Sequence, residues 1–123
     1  MAEGKARGRF RRTLSNWANS ADQNERDLRE TYASPGQMTI ENAPDRERVR
    51  ISGRLRTVTL RPRGGVPALE AELDDGTGVI TVIWLGRRRI TGISPGRSLT
   101  VEGRINVQNQ IRVIYNPKYE LEF

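Results

Sequence analysis

From Arg48 onward, hydrophobic and polar residues alternate with a period of two, which is the pattern of a half-buried β-strand. The apolar phase begins with Val49, Ile51, Gly53 and Leu55. It slips after Leu55, because the next apolar residue, Val58, follows three positions later. A β-bulge inserts one extra residue and produces such a slip. We therefore predict a long first strand that bends near its middle.

Four further segments complete the strand pattern. They are residues 69–73, Val79–Leu85, 99–107 and Ile111–Tyr115, with a last alternating stretch at 119–123. The third strand is apolar on both phases, with Ile80, Val82 and Trp84 on one and Val79, Ile83 and Leu85 on the other. Ile90 and Ile93 follow it and predict a turn or short helix that plugs a barrel end. Three strands, a connecting element and a two-strand hairpin predict an all-β fold, a five-stranded Greek-key barrel of the oligonucleotide/oligosaccharide-binding (OB) kind.

The first 45 residues differ in composition from this barrel. Residues 1–12 predict a disordered basic arm, which either contacts phosphate or only solubilises the chain. Residues 13–33 predict a helix with narrow apolar stripes, one of Leu14, Trp17 and Ala18 and one of Leu28 and Tyr32. Residues 37–46 are interpreted as a linker after Pro35-Gly36. The predicted organisation is an N-terminal helical extension at 1–45 and a barrel at 46–123.

Charge and composition limit the classes of function that this chain can have. The net charge is +6, and arginine supplies 19 of the 21 basic residues. Guanidinium groups suit phosphate and base recognition, but a GC-rich genome would give the same excess. Cysteine and histidine are absent, so we expect no cofactor, no metal site and no catalytic residue. No segment approaches the ~20 apolar residues of a membrane span, and no signal peptide is visible, so a cytoplasmic protein is expected.

Several short motifs carry a family resemblance. They are Gly53, Leu73-Asp-Asp-Gly-Thr-Gly78, Trp84-Leu-Gly86, Ile93-Ser-Pro-Gly96 and Val101-Glu-Gly-Arg104. This set resembles OB-fold nucleic-acid-binding domains of the tRNA-anticodon-binding type. The ending Asn116-Pro-Lys-Tyr119 resembles the wedge domain of the helicase RecG, and the overall form resembles small stand-alone OB-fold proteins of actinobacteria. The resemblance covers about residues 46–121 and implies a nucleic-acid-binding barrel without a helicase motor.

The candidate binding residues are arginines. Between Arg48 and Arg112 the chain has 12 arginines and five acidic residues, a balance of 12 − 5 = +7. The candidates lie on the polar phase of strands one, four and five or in two loops: Arg54, Arg56, Arg104 and Arg112 on strands, Arg61 and Arg63 in the first loop, and Arg87, Arg88 and Arg89 after the third strand. OB barrels bind single strands across a face and its flanking loops. Glu70 and Glu72 would repel phosphate on strand two, so the predicted path avoids that strand.

Two other groups receive structural interpretations. Trp84 shares the phase of the apolar third strand, and Tyr115 shares that of Ile111 and Val113, so both are predicted core residues rather than base-stacking platforms. Turn chemistry explains Asp74-Asp75 better than a metal site. The leading hypothesis is a sequence-tolerant protein that binds single-stranded DNA or RNA as an accessory to DNA repair or replication. The alternative is a protein–protein interaction module that uses strand three or the N-terminal helix.

Overall fold

The computed structural model describes residues 25–29 and 38–122. Its strands are β1 (Arg48–Leu60), β2 (Ala68–Asp74), β3 (Val79–Leu85), β4 (Ser98–Arg104), β5 (Asn106–Gln108), β6 (Ile111–Tyr115) and β7 (Lys118–Leu121). A 3₁₀ helix spans Ile40–Asn42, and residues 25–29 are α-helical. Within these ranges no helix is long and apolar enough to cross a membrane. The predictions made for the basic arm and for Leu14, Trp17, Ala18 and Tyr32 lie outside the described residues.

The strands form one sheet in the order β5-β6-β3-β2-β1-β4-β7. Neighbouring strands are antiparallel except β3 and β6, which are parallel. Ile105 alone separates β4 from β5, and Asn116 and Pro117 separate β6 from β7. β4 and β5 are therefore two parts of one strand, as are β6 and β7, so the seven strands correspond to five. Because β5, at one end of the sheet, continues β4, which lies near the other end, the sheet curves back on itself. This arrangement confirms the predicted five-stranded OB-fold Greek-key barrel.

Strand β1 bends in the middle and belongs to both halves of the barrel. The neighbour with which β1 pairs changes at Arg54, which pairs with Ser98 of β4 and with Asp74 of β2. A Cβ atom on the preceding Gly53 would lie 2.8 Å from the Asp74 carbonyl oxygen, so a side chain would force these strands apart. The β1–β2 register shifts between Leu55 and Thr57. The bulge predicted from the slipped phase is confirmed.

The inward phases of the strands build the main core. Its largest fully buried side chains include Ile51, Leu73, Ile80, Leu99 and Ile114. Trp84 belongs to this core, as predicted, and its Nε1 donates to the Pro117 carbonyl oxygen at 3.3 Å. Ile90 and Ile93 are also buried in it, held by turns rather than by a helix. Ile40 and Ala43 join the same core, so the segment assigned to the linker packs on the barrel.

The predicted phase of β6 is wrong. Ile114 is fully buried in the main core, whereas Val113 and Tyr115 lie on the outer surface of the sheet. The outer cluster consists of Ala68, Ile83 and Val113, with Tyr115 packed against it. On the outer face of β3, Ile83 is fully buried, whereas Leu85 at the end of the strand is 41% exposed. Arg112 shares the inward phase of Ile114 and lies near the barrel end. Both phases of β6 carry apolar residues, so alternation could not identify the inward one.

The turn after β2 holds the N-terminal segment. Asp75 is 4% exposed, and its Oδ2 accepts a hydrogen bond from the Ile40 amide at 2.9 Å. Its Oδ1 accepts from the Thr77 amide at 2.9 Å, and Asp74 Oδ1 accepts from the Gly76 amide at 2.8 Å. Arg29 Nε donates to the Gly76 carbonyl oxygen at 2.9 Å. Both carboxylates therefore serve the turn and the segment that docks on it.

Candidate nucleic-acid interface

Two arginine-bearing loops meet at one end of the barrel. The Arg61 amide donates to the Ala68 carbonyl oxygen at 2.9 Å and closes the loop between β1 and β2. The Gly86 amide, at the end of β3, donates to the Pro67 carbonyl oxygen at 2.7 Å. This bond places the start of the second loop beside the end of the first. We call the arginines of the two loops the basic rim: Arg61, Arg63, Arg87, Arg88 and Arg89.

The rim is open to ligands. Arg87, Arg88 and Arg89 are exposed, and within the described part of the chain they form no hydrogen bond or ion pair. The tip of the first loop contains Gly64 and Gly65 with φ of 56° and 80°. No described atom lies within 4 Å of a Cβ built on either glycine. A phosphate can therefore approach both the guanidinium groups and the loop backbone.

One carboxylate partly neutralises the rim. Arg61 Nε lies 3.4 Å from Glu70 Oε2, and Arg63 Nη2 lies 3.6 Å from Glu70 Oε1. The Glu70 side chain is 17% exposed, and its Oε2 is buried and accepts no hydrogen bond from the described residues. Glu70 lies on the outer surface, as its phase predicts. Its ion pairs with the first loop could not be seen in the sequence, because they depend on how that loop folds back over β2.

Exposed apolar side chains accompany the rim. Leu60, Val66 and Leu85 are 49%, 46% and 41% exposed. Leu60 ends β1, Val66 lies in the first loop and Leu85 ends β3, immediately before the three consecutive arginines. Base faces pack against apolar and aromatic side chains in single-strand sites, while arginines neutralise the backbone. The alternating pattern did not predict that these side chains are exposed, because it does not show where a strand extends beyond the end of the barrel.

Arg54 and Arg56 lie near the middle of β1, away from the rim. Both are exposed, on either side of the buried Leu55. Arg61 lies seven positions after Arg54, beyond the bulge near Leu55 and just past the end of β1. Thr57 and Thr59 lie between them, exposed on the outer surface. The outer edge of β1 is therefore a polar row with arginines at both ends.

The other two predicted arginines bind the protein's own backbone. Arg112 Nε donates to the Ala43 carbonyl oxygen at 3.0 Å, and its Nη2 donates to the Glu41 carbonyl oxygen at 3.0 Å. Arg104 Nη1 donates to the Arg46 carbonyl oxygen at 2.9 Å. The structure does not bring either residue to the rim. Their geometry assigns them to holding residues 41–46 against the hairpin of β5 and β6.

The outer surface of β1, β4 and β7 has compensated charge. Arg50 Nη2 lies 3.0 Å from Glu120 Oε2, and Arg48 Nη2 lies 3.7 Å from Glu102 Oε2. Exposed pairs of this kind stabilise a protein weakly, but they reduce the local positive potential. By contrast, Arg54 and Arg56 of β1 and Arg87, Arg88 and Arg89 of the rim have no carboxylate partner among the described residues.

Comparison with known proteins finds similarity in structure alone, since no protein-family model and no curated protein matches the chain. RecG bound to a three-way DNA junction is similar over 69% of this chain, with a TM-score of 0.60 and 17% identity. Replication protein A, a heterotrimer bound to single-stranded DNA, is similar over 73%, with a TM-score of 0.50 and 16% identity. The chain has an OB fold. It spans 12% of the RecG chain and 68% of the matched replication protein A chain.

Proposed function

We propose that this OB-fold protein binds single-stranded nucleic acid with little dependence on sequence, as an accessory to DNA repair or replication. The proposed role is binding rather than catalysis. The observation that carries the proposal is the basic rim, where two adjoining loops present five arginines at one barrel end. Of these five arginines, only Arg61 and Arg63 have a carboxylate partner among the described residues, and they share Glu70.

The apolar neighbours of the rim support a preference for single strands. Leu60, Val66 and Leu85 offer surfaces on which an unpaired base can pack. In a duplex the base faces are stacked on one another, and only the base edges and the phosphates are accessible. A single strand can therefore use both the arginines and the apolar side chains, whereas a duplex can use mainly the arginines.

The comparisons agree with this proposal through the shared fold. The RecG structure holds a three-way DNA junction, and the replication protein A structure holds single-stranded DNA. OB folds present such ligands across the barrel face and the loops beside it. The first loop of the rim, between β1 and β2, is a loop of this kind.

Fluorescence anisotropy with a labelled strand of about 20 nucleotides tests the proposal. If roughly four phosphates are neutralised, log affinity should fall with log salt at a slope near −3, about −0.7 per phosphate. A hairpin duplex of the same length should bind more weakly at each salt concentration. Absence of binding at about 50 mM salt, or a slope near zero, would refute nucleic-acid binding. Equal affinity for the duplex would refute the preference for single strands.

A protein-interaction module is the second candidate, supported by the outer cluster around β3 and β6. Ile111 is 54% exposed beside the buried Val113 and half-buried Tyr115, so apolar surface continues to the edge of the barrel. This surface lies on different strands from the β1 row. If the strand titration shows no binding at low salt, the outer cluster becomes the better candidate for the functional surface.

A further inference from the structure

A shallow polar depression adjoins the basic rim on the outer surface of β1, β2 and β3. Its volume is about 190 Å³, and it is lined by Thr57, Thr59, Arg61, Glu70, Glu72 and Thr81. Small-molecule sites usually measure roughly 300–1,000 Å³, so this depression suits one chemical group rather than a whole ligand. It shares Arg61 with the rim and Thr57 and Thr59 with the polar row of β1, so it is within reach of a strand bound there.

The depression presents hydrogen-bond acceptors. The register places Thr59 opposite Glu70, and Glu72 between Thr57 and Thr81. Thr57 Oγ1 donates to Glu72 Oε1 at 2.8 Å, which satisfies one oxygen of Glu72. Glu70 differs, because its Oε2 is buried without any hydrogen bond from the described residues. Buried acceptors are usually satisfied, whereas this oxygen has only the ion pair with Arg61 at 3.4 Å, so a ligand donor can complete its hydrogen bonding.

The cation beside Glu70 Oε2 is Arg61, which a phosphate group of a nucleic acid would also attract. Arg61 lies 3.4 Å from Glu70 Oε2, but its side chain is 69% exposed. Exposed arginines change rotamer readily, and two oxygens of a phosphate group accept strong bidentate hydrogen bonds from a guanidinium. When Arg61 turns to a phosphate, Glu70 becomes accessible and loses part of its compensating charge. It then favours a ligand group with N–H donors and disfavours one with carbonyl oxygens.

From this geometry we infer that Glu70 recognises the Watson–Crick edge of one unpaired base and gives the protein a local preference for guanine. Guanine presents two adjacent donors, N1–H and N2–H₂, which match the two oxygens of a carboxylate. Thymine and uracil present one N–H between two carbonyl oxygens, which a carboxylate repels. Bases in single strands are commonly recognised on this edge. The inference rests on the proposed function and adds one specific position to otherwise sequence-tolerant binding.

A set of labelled oligonucleotides tests the inference with the full-length protein. The parent is a run of about 12 thymidines, and each relative has one central guanine, inosine or cytosine. A single guanine cannot build a quadruplex within one strand, so differences report base contacts. We expect the guanine strand to bind about five-fold or more tighter than the thymidine run. Inosine keeps N1–H but lacks the 2-amino group, so its strand should fall between the two.

Glu70→Gln is the decisive variant, because the amide keeps the size of the side chain but replaces one acceptor with a donor. It should abolish the preference for guanine while leaving affinity for the thymidine run equal or higher. Glu102→Gln is the matched control: Glu102 pairs with Arg48 on the other side of the barrel, and this change should leave the preference intact. Circular dichroism and thermal unfolding check that both variants fold.

The outcomes separate this inference from the proposed function. If all strands bind with equal affinity and a steep salt dependence, single-strand binding stands and recognition by Glu70 is refuted. A guanine preference that survives Glu70→Gln also refutes it. If no strand binds the wild-type protein at low salt, the proposed function fails and the inference fails with it.

Discussion

The guanidinium of Arg112 and the carbonyl oxygen of Ala43 are joined by a hydrogen bond of 3.0 Å across 69 positions of the chain. Ala43 is almost fully buried, and Arg112 is partly buried beside it. The bond fixes the segment before β1 against β6. An arginine that appears in the sequence as one more basic residue therefore connects the N-terminal segment to the barrel.

Arg112→Ala should destabilise the fold and leave binding unchanged. It removes the donors of two hydrogen bonds, to Ala43 and to Glu41, and leaves a partly buried carbonyl oxygen unsatisfied. We expect a loss of roughly 1–2 kcal/mol in the free energy of unfolding, measured by urea denaturation. Arg104→Ala, which removes one exposed bond, should lose less. A stable Arg112→Ala variant with reduced affinity for single strands would instead place Arg112 in the interface.

Changing the second loop of the rim should weaken binding without unfolding the protein. Arg87, Arg88 and Arg89 are exposed, so their joint replacement by alanine removes charge and no packing. We expect lower affinity for every strand and a salt slope flatter by one to two units, at about 0.7 per lost phosphate contact. Arg61 and Arg63, replaced together, should have a smaller effect because Glu70 already compensates them. The two effects should roughly add.

A charge-matched control distinguishes the rim from net charge. Replacing Arg48 and Arg50 by alanine removes as many charges as replacing Arg61 and Arg63, but from the compensated surface of β1, β4 and β7. This variant should bind almost like the wild type. Equal losses from both pairs would show that only the overall charge matters. If every rim variant binds normally and removal of residues 1–12 abolishes binding, the basic arm is the site.

Trp84→Ala should lower the free energy of unfolding by roughly 3–5 kcal/mol. The ring is 5% exposed in the main core and meets Tyr119 edge to face, with 5.7 Å between the ring centroids. Trp84→Phe should lose less, since it keeps an aromatic ring and gives up only the bond to Pro117 and part of the volume. Denaturation curves measure both. Unchanged stability together with lost strand binding would show that Trp84 stacks on bases.

Alternation predicted most of the barrel, because strands with one buried face encode that face in their period of two. It succeeded for β1 through its bulge, where the slip between Leu55 and Val58 marked the extra residue. It failed at β6, where Arg112 is the only polar residue between apolar neighbours on both phases. A long arginine side chain can follow the inward phase at a barrel end and still reach polar partners, which no local pattern reveals.

The sequence supplied nine candidate arginines, but it could not predict how they are arranged on the barrel. The nine arginines divide into a rim, a pair on β1 and two that bind backbone carbonyl oxygens. That division depends on contacts between distant segments, such as Gly86 with Pro67 and Arg63 with Glu70. Sequence spacing reports neither contact. The Asp75 carboxylate shows the same limit, because its own turn was predictable and its bond to the Ile40 amide was not.

Gly76 and Gly96 form a matched pair for testing how the N-terminal helix docks. Their φ angles are +86° and +89°, so alanine meets the same backbone strain at both positions. No described atom lies within 4 Å of a Cβ at Gly96, whereas a Cβ at Gly76 would lie 2.5 Å from the Glu25 carbonyl oxygen and 2.7 Å from the Arg29 amide nitrogen. Gly76→Ala must therefore displace residues 25–29, and Gly96→Ala need not.

Gly96→Ala should lose roughly 1–2 kcal/mol, the cost of the left-handed conformation alone. Gly76→Ala should lose more, because Leu28 also leaves its buried position and Arg29 loses its bond to the Gly76 carbonyl oxygen. Urea denaturation gives the two losses, and hydrogen exchange of the peptide that contains residues 25–29 should rise in Gly76→Ala only. Equal losses and equal exchange would mean that this helix contributes nothing to the stability of the barrel. Tighter strand binding by Gly76→Ala alone would mean that the docked helix restricts access to the barrel surface.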